Sequence, residues 1–214
     1  MRIVLYAEGA AEDAVGGSPP PTPREILRPE ELGAAHVLVS RMVERNSKIP
    51  AAAVQFVGPL RLGIRPVRGG DLLREKNVRR LLSWPPSDRL PDLAVLLIDD
   101  DGKKRRNEIS AWVRDVTVEA VVAVPVQEFE AWLIADVEAV PGTGELPAHP
   151  ESLAPGRAKE LLRNRLTPGC ANVVDILKAR TEIARRADLA RLAKLPAFTA
   201  FESDLRSALN RRTG

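Results

Sequence analysis

Apolar residues follow two rhythms along this chain. Four short stretches are largely apolar without a break: Arg2–Ala7, Ala51–Val57, the run from Leu93 to Ile98, and Val118–Val124. Such runs, bounded by turn residues, predict strands buried on both faces, as in a parallel sheet covered by helices. Between them the apolar positions recur three and four apart. Leu32, Ala35, His36, Val39, Met42 and Val43 predict an amphipathic helix over Pro29 to Ser47, with His36 on its apolar stripe as a core histidine. Similar spacing predicts helices over Asp71–Trp84 and Asn107–Asp115, the second turning Ile109, Trp112 and Val113 inward. Strands alternating with helices predict an α/β fold, Rossmann-like, with a mostly parallel four-stranded sheet flanked by helices.

Two stretches rich in glycine and proline punctuate this pattern. Gly16 to Pro23 is a loop beside the first strand's end, read either as a lid or as an exposed insertion. Pro141 to Pro155 reads as a linker, beyond which Arg157–Leu166, Asn172–Arg186, Asp188–Lys194 and Thr199–Arg211 have the spacing of short amphipathic helices. The division is therefore an α/β domain over residues 1–140 and a helical extension over 141–214 packed on it.

Acids collect at the predicted carboxyl ends of the strands. The first strand runs into Glu8-Gly9-Ala10-Ala11-Glu12, and the third into Asp99-Asp100-Asp101-Gly102. After the fourth comes Pro125-Val126-Gln127-Glu128-Phe129-Glu130-Ala131-Trp132-Leu133, where helical spacing sets Glu128, Trp132 and Asp136 on one side. In open α/β sheets this edge is where ligands bind. Three adjacent carboxylates repel one another unless a cation or solvent offsets them, so a divalent metal and a solvated acidic turn both fit the Asp99–Asp101 run. Alternation along an extended segment points Asp99 and Asp101 alike and leaves Asp100 a bystander. For Glu8, Glu12 and Glu128 the competing role is favourable charge in a first helical turn.

Composition narrows the metal. Cys170 is the only cysteine and His36 and His149 the only histidines, so no multi-thiolate or multi-histidine centre can be built within one chain. Carboxylate ligation suits Mg²⁺ or Mn²⁺. The net charge of +3 is unevenly spread: residues 151–214 hold 13 Lys/Arg against 7 Asp/Glu, a net of +6, leaving −3 for the rest. An acidic sheet edge beside a basic tail suits a polyanion, although solvated helix faces look alike in sequence. The same holds for Arg61, Arg65, Arg68, Arg74, Lys76, Arg79 and Arg80 before the third strand, and for Lys103-Lys104-Arg105-Arg106 directly after its acids. No segment has the length of a membrane span, and the first strand meets Glu8 too soon for a signal peptide, so a cytoplasmic protein is expected. There is no Gly-x-x-x-x-Gly-Lys loop for a nucleotide.

These motifs carry a family resemblance. Strand-Glu8-Gly9-x-x-Glu12 followed by strand-Asp99-x-Asp101-Gly102 is similar to the Glu-Gly and Asp-x-Asp motifs of the Toprim superfamily of primases, topoisomerases and OLD-family nucleases. Pro125-x-x-Glu128-x-Glu130-x-Trp132-Leu133 is similar to the signature of small Toprim-like, RloB-like proteins, many of them encoded beside ATPases in bacterial defence loci. The resemblance covers residues 1–140 and extends loosely over the tail. It implies Mg²⁺- or Mn²⁺-dependent cleavage of phosphodiester bonds in nucleic acid, DNA before RNA, with a partner ATPase. It further implies that Asp99 and Asp101 hold metal, that Glu8 is a ligand or general acid/base, and that Glu12 and Glu128 complete a second site. The proline-rich insertion departs from the pattern, and no auxiliary lysine or serine is assigned. A rival implication is a catalytically inactive Toprim-like subunit that binds or regulates the ATPase. An aspartyl-phosphate mechanism fits poorly, because the first strand ends in Glu8 and no paired lysine is evident.

Overall fold

The computed structural model describes residues 1–8, 22–62, 67, 69–84, 90–101, 103–143 and 145–213. Arg2–Ala7 is strand β1, Ala34–Asn46 helix α1 and Gln55–Val57 strand β2. Gly69–Leu72 (α2) and Glu75–Leu82 (α3) lead to β3 at Leu93–Leu97, then Arg106–Trp112 (α4) to β4 at Ala120–Ala123. Glu130–Leu133 forms one turn, α5, and the chain ends in α6 (Arg157–Leu166), α7 (Val173–Arg186), α8 (Leu189–Leu192) and α9 (Pro196–Thr213).

All four strands are parallel, in the order β2-β1-β3-β4. Side chains alternate between two cores. Ile3, Leu5, Leu93, Val95, Leu97 and Val121 face one side, where α1 and α9 cover them through Leu38, Met42, Phe198 and Phe201. Val4, Tyr6, Ala94, Leu96 and Val122 face the other, under Val78 and Leu81 of α3 and Ile109 of α4. Tyr6 lies in this second core with its hydroxyl donating to Leu81 O at 2.9 Å and accepting from Leu60 N at 3.3 Å; burial raises its pKa. The helices are on both faces because the chain reverses direction across the sheet after β2, as the general right-handedness of parallel crossovers requires. Among the described residues no helix is long and apolar enough to cross a membrane.

Several boundaries differ from the expected ones, each for a local reason. The stretch Ala51–Ala53 is a 3-10 turn rather than strand, in keeping with alanine's helical preference. The helix expected from Pro29 starts at Ala34, because Pro29–Glu31 closes its own turn and Gly33 becomes the N-cap. The helix expected over Asp71–Trp84 is two pieces: Arg74 is extended, and Asn77 Nδ2 donates back to Asp71 O at 3.2 Å. At the C-terminus the last helix begins earlier, with Pro196 in its first turn, where its missing N–H costs nothing.

His36 is a core side chain. It is 3% exposed, meets Phe56 edge-on with ring centroids 4.6 Å apart, and accepts from Gly33 N through Nδ1 at 3.2 Å. Burial pushes its pKa down to about 3. The unfolded chain therefore takes up a proton near pH 6.5 that the folded one refuses. The stability this group supports is complete above that pH and is lost as pH falls toward 3, at up to about 1.4 kcal/mol per pH unit. His36→Gln keeps an acceptor for the Gly33 amide and removes the proton uptake. Urea titrations at pH 7 and pH 4.5 should show a smaller acid loss in the variant than in the wild type.

Candidate functional site

The order β2-β1-β3-β4 reverses between β1 and β3, so the crevice at their carboxyl ends is the topological switch point. Glu8 and Asp99 occupy it. Glu8 N donates to Leu97 O at 2.9 Å, extending the ladder one residue past the strand, and Asp99 N donates to Glu8 Oε2 at 3.0 Å. Asp99 Oδ1 accepts from Phe129 N at 2.9 Å, which ties the end of β3 to the chain leaving β4. Both residues are half-buried. The two expected acids that β1 and β3 carry are thus brought together by the parallel pairing itself.

The rest of the acidic run does something else. β3 ends at Leu97, so the alternation that would align Asp99 with Asp101 does not continue; Asp101 has a left-handed backbone, φ 47°, and Lys104 another, φ 54°. Such conformations are sterically costly for residues with a Cβ and persist only where the surroundings hold them. Here the holder is Asp100. It is 7% exposed, and its carboxylate accepts from Lys104 N at 2.9 Å and Arg105 N at 2.7 Å, capping the entry to α4. The supposed bystander is the residue that shapes the turn. Asp101 is exposed and pairs with Lys103 at 3.2 Å. Arg105 packs over Trp112, 5.6 Å from the ring centroid, and bonds Glu108; that bond chiefly, with smaller contributions from Glu8 and Asp100, raises its pKa.

Glu128 does not share one helical side with Trp132 and Asp136, because only Glu130–Leu133 is helical. Each side chain of the segment reaches a different C-terminal element. Glu128 Oε1 accepts from Lys159 N at 2.6 Å in the first turn of α6. Burial, its largest influence, raises its pKa, while that amide opposes the shift. Glu130, 1% exposed, pairs with the buried Arg180 of α7 at 3.1 Å. Trp132 donates to Glu151 at 3.1 Å and stacks on Phe201 of α9 with centroids 6.0 Å apart. Asp136 accepts from Asp188 N at 2.7 Å and from Arg191 at 2.6 Å. Sequence reasoning named Glu130 only as a position of a motif, with no role, and passed over Glu151, Arg180 and Arg191. Their partners lie tens of residues away, and the one available signal was a dense group of acids and a tryptophan in an otherwise short, apolar segment.

Glu12, together with Arg65 and Arg68, lies outside the described residues, as does most of the Gly16–Pro23 loop. Among the described residues, no three Asp, Glu, His or Cys converge as a metal-holding group. Glu8 and Asp99, both carrying hard oxygen donors, meet through the Asp99 backbone amide. That set fits Mg²⁺, which is commonly held by one or two carboxylates and otherwise keeps water or takes substrate phosphate oxygens. It does not supply the ligands of a second ion. No protein-family model, curated protein or solved structure matches the chain.

Replacing Asp100 by Ala leaves the Lys104 and Arg105 amides without their acceptor. The expected cost is about 1–3 kcal/mol of stability in urea titrations, with faster amide exchange at Lys104 and Arg105 and little change in β3.

Proposed function

We propose that the chain is a Toprim-like protein that hydrolyses phosphodiester bonds in nucleic acid, DNA before RNA, with Mg²⁺ or Mn²⁺ held by Glu8 and Asp99. The observation that carries this reading is the meeting of those two residues at the switch point, where Glu8 Oε2 accepts from the Asp99 amide at 3.0 Å. The Glu-Gly and Asp-x-Asp motifs supply the family side of the argument. Bound there, the metal would supply Lewis-acid stabilisation of the charge that develops on a phosphoryl group.

The chain's own residues have separate tasks in this reading. Phe129 N holds Asp99 at a fixed angle, so its carboxylate needs no reorganisation when a cation arrives. Asp100 fixes the turn that carries Asp101 outward, where Asp101 is available as a further ligand once Lys103 turns to a phosphate. Lys103 and Lys104 are exposed beside the pair and bind the nucleic-acid backbone as point charges. Glu128 is held against α6 by the Lys159 amide, and this reading gives it no ligand role. The chain lacks a nucleotide-binding loop, which supports a partner ATPase of the kind found in bacterial defence loci.

One observation favours the second reading, a catalytically inactive subunit that binds or regulates such a partner. The acids of the Glu128–Asp136 segment are engaged in packing the fold, and among the described residues no third carboxylate joins Glu8 and Asp99.

Titration calorimetry with Mg²⁺ and with Mn²⁺ separates the two. Wild type should bind, and Glu8→Gln and Asp99→Asn should not. Cleavage of plasmid and single-stranded DNA should fall by about 10²–10³ in either variant, the scale of losing one electrostatic stabiliser. Metal binding without cleavage supports the inactive subunit; absence of binding in the wild type overturns the metal site.

A further inference from the structure

A cation already held in an ion pair must break that pair before it can meet a phosphate, so the charge open to a polyanion is the charge the fold has not used. In the C-terminal helices nearly all of it is used. Arg180 pairs with Glu130 at 3.1 Å, Arg191 with Asp136 at 2.6 Å, Arg211 with Glu119 at 2.5 Å and Arg212 with Asp92 at 2.7 Å, while Arg185 and Arg186 share Glu182. Among the described residues of this region, only Arg163, Lys178 and Lys194 have cationic side chains without a partner. They are scattered, one on α6, one on α7 and one just past α8.

The layer formed by α3 and α4 differs. The two helices lie side by side next to the switch point: Arg105 Nη2, at the entry to α4, donates to Leu73 O at 3.4 Å, and Arg79 Nη1 of α3 donates to Arg114 O, just past the end of α4, at 3.3 Å. On α3 the buried residues are Val78, Leu81 and Leu82, so the 3.6-residue period sends Lys76 and Arg80 straight outward, about 6 Å apart along the axis. Both are exposed, as is Arg74 in front of the helix, and none of the three side chains has a partner among the described residues. Lys104, exposed and equally without a side-chain partner, continues the row into the turn that follows Asp99.

The acids of this layer do not offset that row. Glu75 is taken by Arg79 at 2.8 Å and Glu108 by Arg105 at 3.0 Å. Only beyond α4, where Asp115 follows Arg114, does an exposed acid balance a cation. Four uncompensated cations in one row create a positive potential that draws in a polyanion and lets it displace their counterions. None of the exposed large apolar side chains, Ile26, Leu90, Val137 and Val173, belongs to α3, α4 or the turn, so the layer offers a bilayer no apolar anchor.

We propose that the outer face of α3, through Arg74, Lys76 and Arg80 and onward through Lys104, is the track along which the nucleic-acid backbone reaches the Glu8–Asp99 crevice, and that the basic C-terminal helices have no such role. The assignment rests on the nucleic-acid reading of that crevice. It places the binding charge on the α/β domain, where the sequence has fewer cations than acids, because the tail's charge is spent on docking the tail.

The probe is a short fluorophore-labelled DNA, as duplex and as single strand, followed by anisotropy in EDTA so that nothing is cut, between about 50 and 200 mM salt. Two triple variants remove the same charge: Arg74→Gln/Lys76→Gln/Arg80→Gln on α3, and Arg163→Gln/Lys178→Gln/Lys194→Gln in the C-terminal helices. Both should melt with the wild type, since none of the six side chains has a partner among the described residues. Wild type should bind duplex with a Kd of about 10⁻⁴–10⁻⁶ M, the non-specific range. The α3 variant should bind at least about tenfold more weakly, with the slope of log affinity against log salt flattened by about 2–3, at roughly 0.9 per lost phosphate contact. The C-terminal variant should match the wild type. No loss in the α3 variant, or an equal loss in both, overturns the track and leaves the nucleic-acid reading standing. A wild type that binds neither form of DNA overturns both. Sedimentation with phosphatidylserine vesicles is the remaining arm: lipid binding that the α3 variant loses, without DNA binding, gives the face to a membrane and overturns the proposal.

Discussion

The fold depends on the burial of β3 on both faces. Every residue from Leu93 to Leu97 is at most 3% exposed, and a parallel strand in that position has no solvent side to spare. On one face the cover is local, since α3 and α4 are the crossovers before and after the strand. On the other, α1 covers only part of the sheet, and the area beside β4 is closed by α9, more than seventy residues further along the chain. An apolar strand this deeply buried obliges the C-terminal helices to dock, and much of the polar chemistry of the molecule serves that docking.

The segment from Glu128 to Asp136 is where the docking is organised. Around its single turn of helix the segment sends a carboxylate to α6, a second to α7, an indole to α9 and a third carboxylate to α8. The buried Glu130–Arg180 pair is costly to desolvate and is held by its geometry; losing one partner of such a pair typically costs about 3–5 kcal/mol, because a charge is left buried without compensation. Arg45 and Asn46 of α1 meet Glu202 of α9 at 3.2 and 3.1 Å, so the two helices over that face are also tied to each other. The extension and the sheet share one apolar cluster.

Against this background the Glu8–Asp99 pair is unusual among the described acids. It is set by strand register at the sheet's switch point, close to exposed cations, and the neighbouring turn holds two left-handed residues in place through Asp100. Strain of that kind gathers where a loop has to present side chains in one arrangement. At the far edge of the sheet the chain covers β2 with its own segment 24–27.

The four largely apolar runs, Arg2–Ala7 and Leu93 to Ile98 among them, and the three-and-four spacing of Leu32 to Val43 were sufficient to determine an α/β protein with four strands, because burial on both faces of a strand or on one side of a helix imposes a pattern that side-chain chemistry must obey. The same rules put acids at the ends of β1 and β3, since a strand must stop where water returns. They could not distinguish an acid that caps a helix from one that meets another acid. Asp99, Asp100 and Asp101 are adjacent and chemically identical, yet the first takes the Phe129 amide while Glu8 holds its own, the second holds two amides and the third stands in solvent. That sorting depends on where β3 ends and on what β1 and α4 bring beside it. The helical spacing of Glu128, Trp132 and Asp136 misled for the same reason: their partners lie nineteen to fifty-five residues away, and only the assembled fold sets the distances over which a hydrogen bond can form.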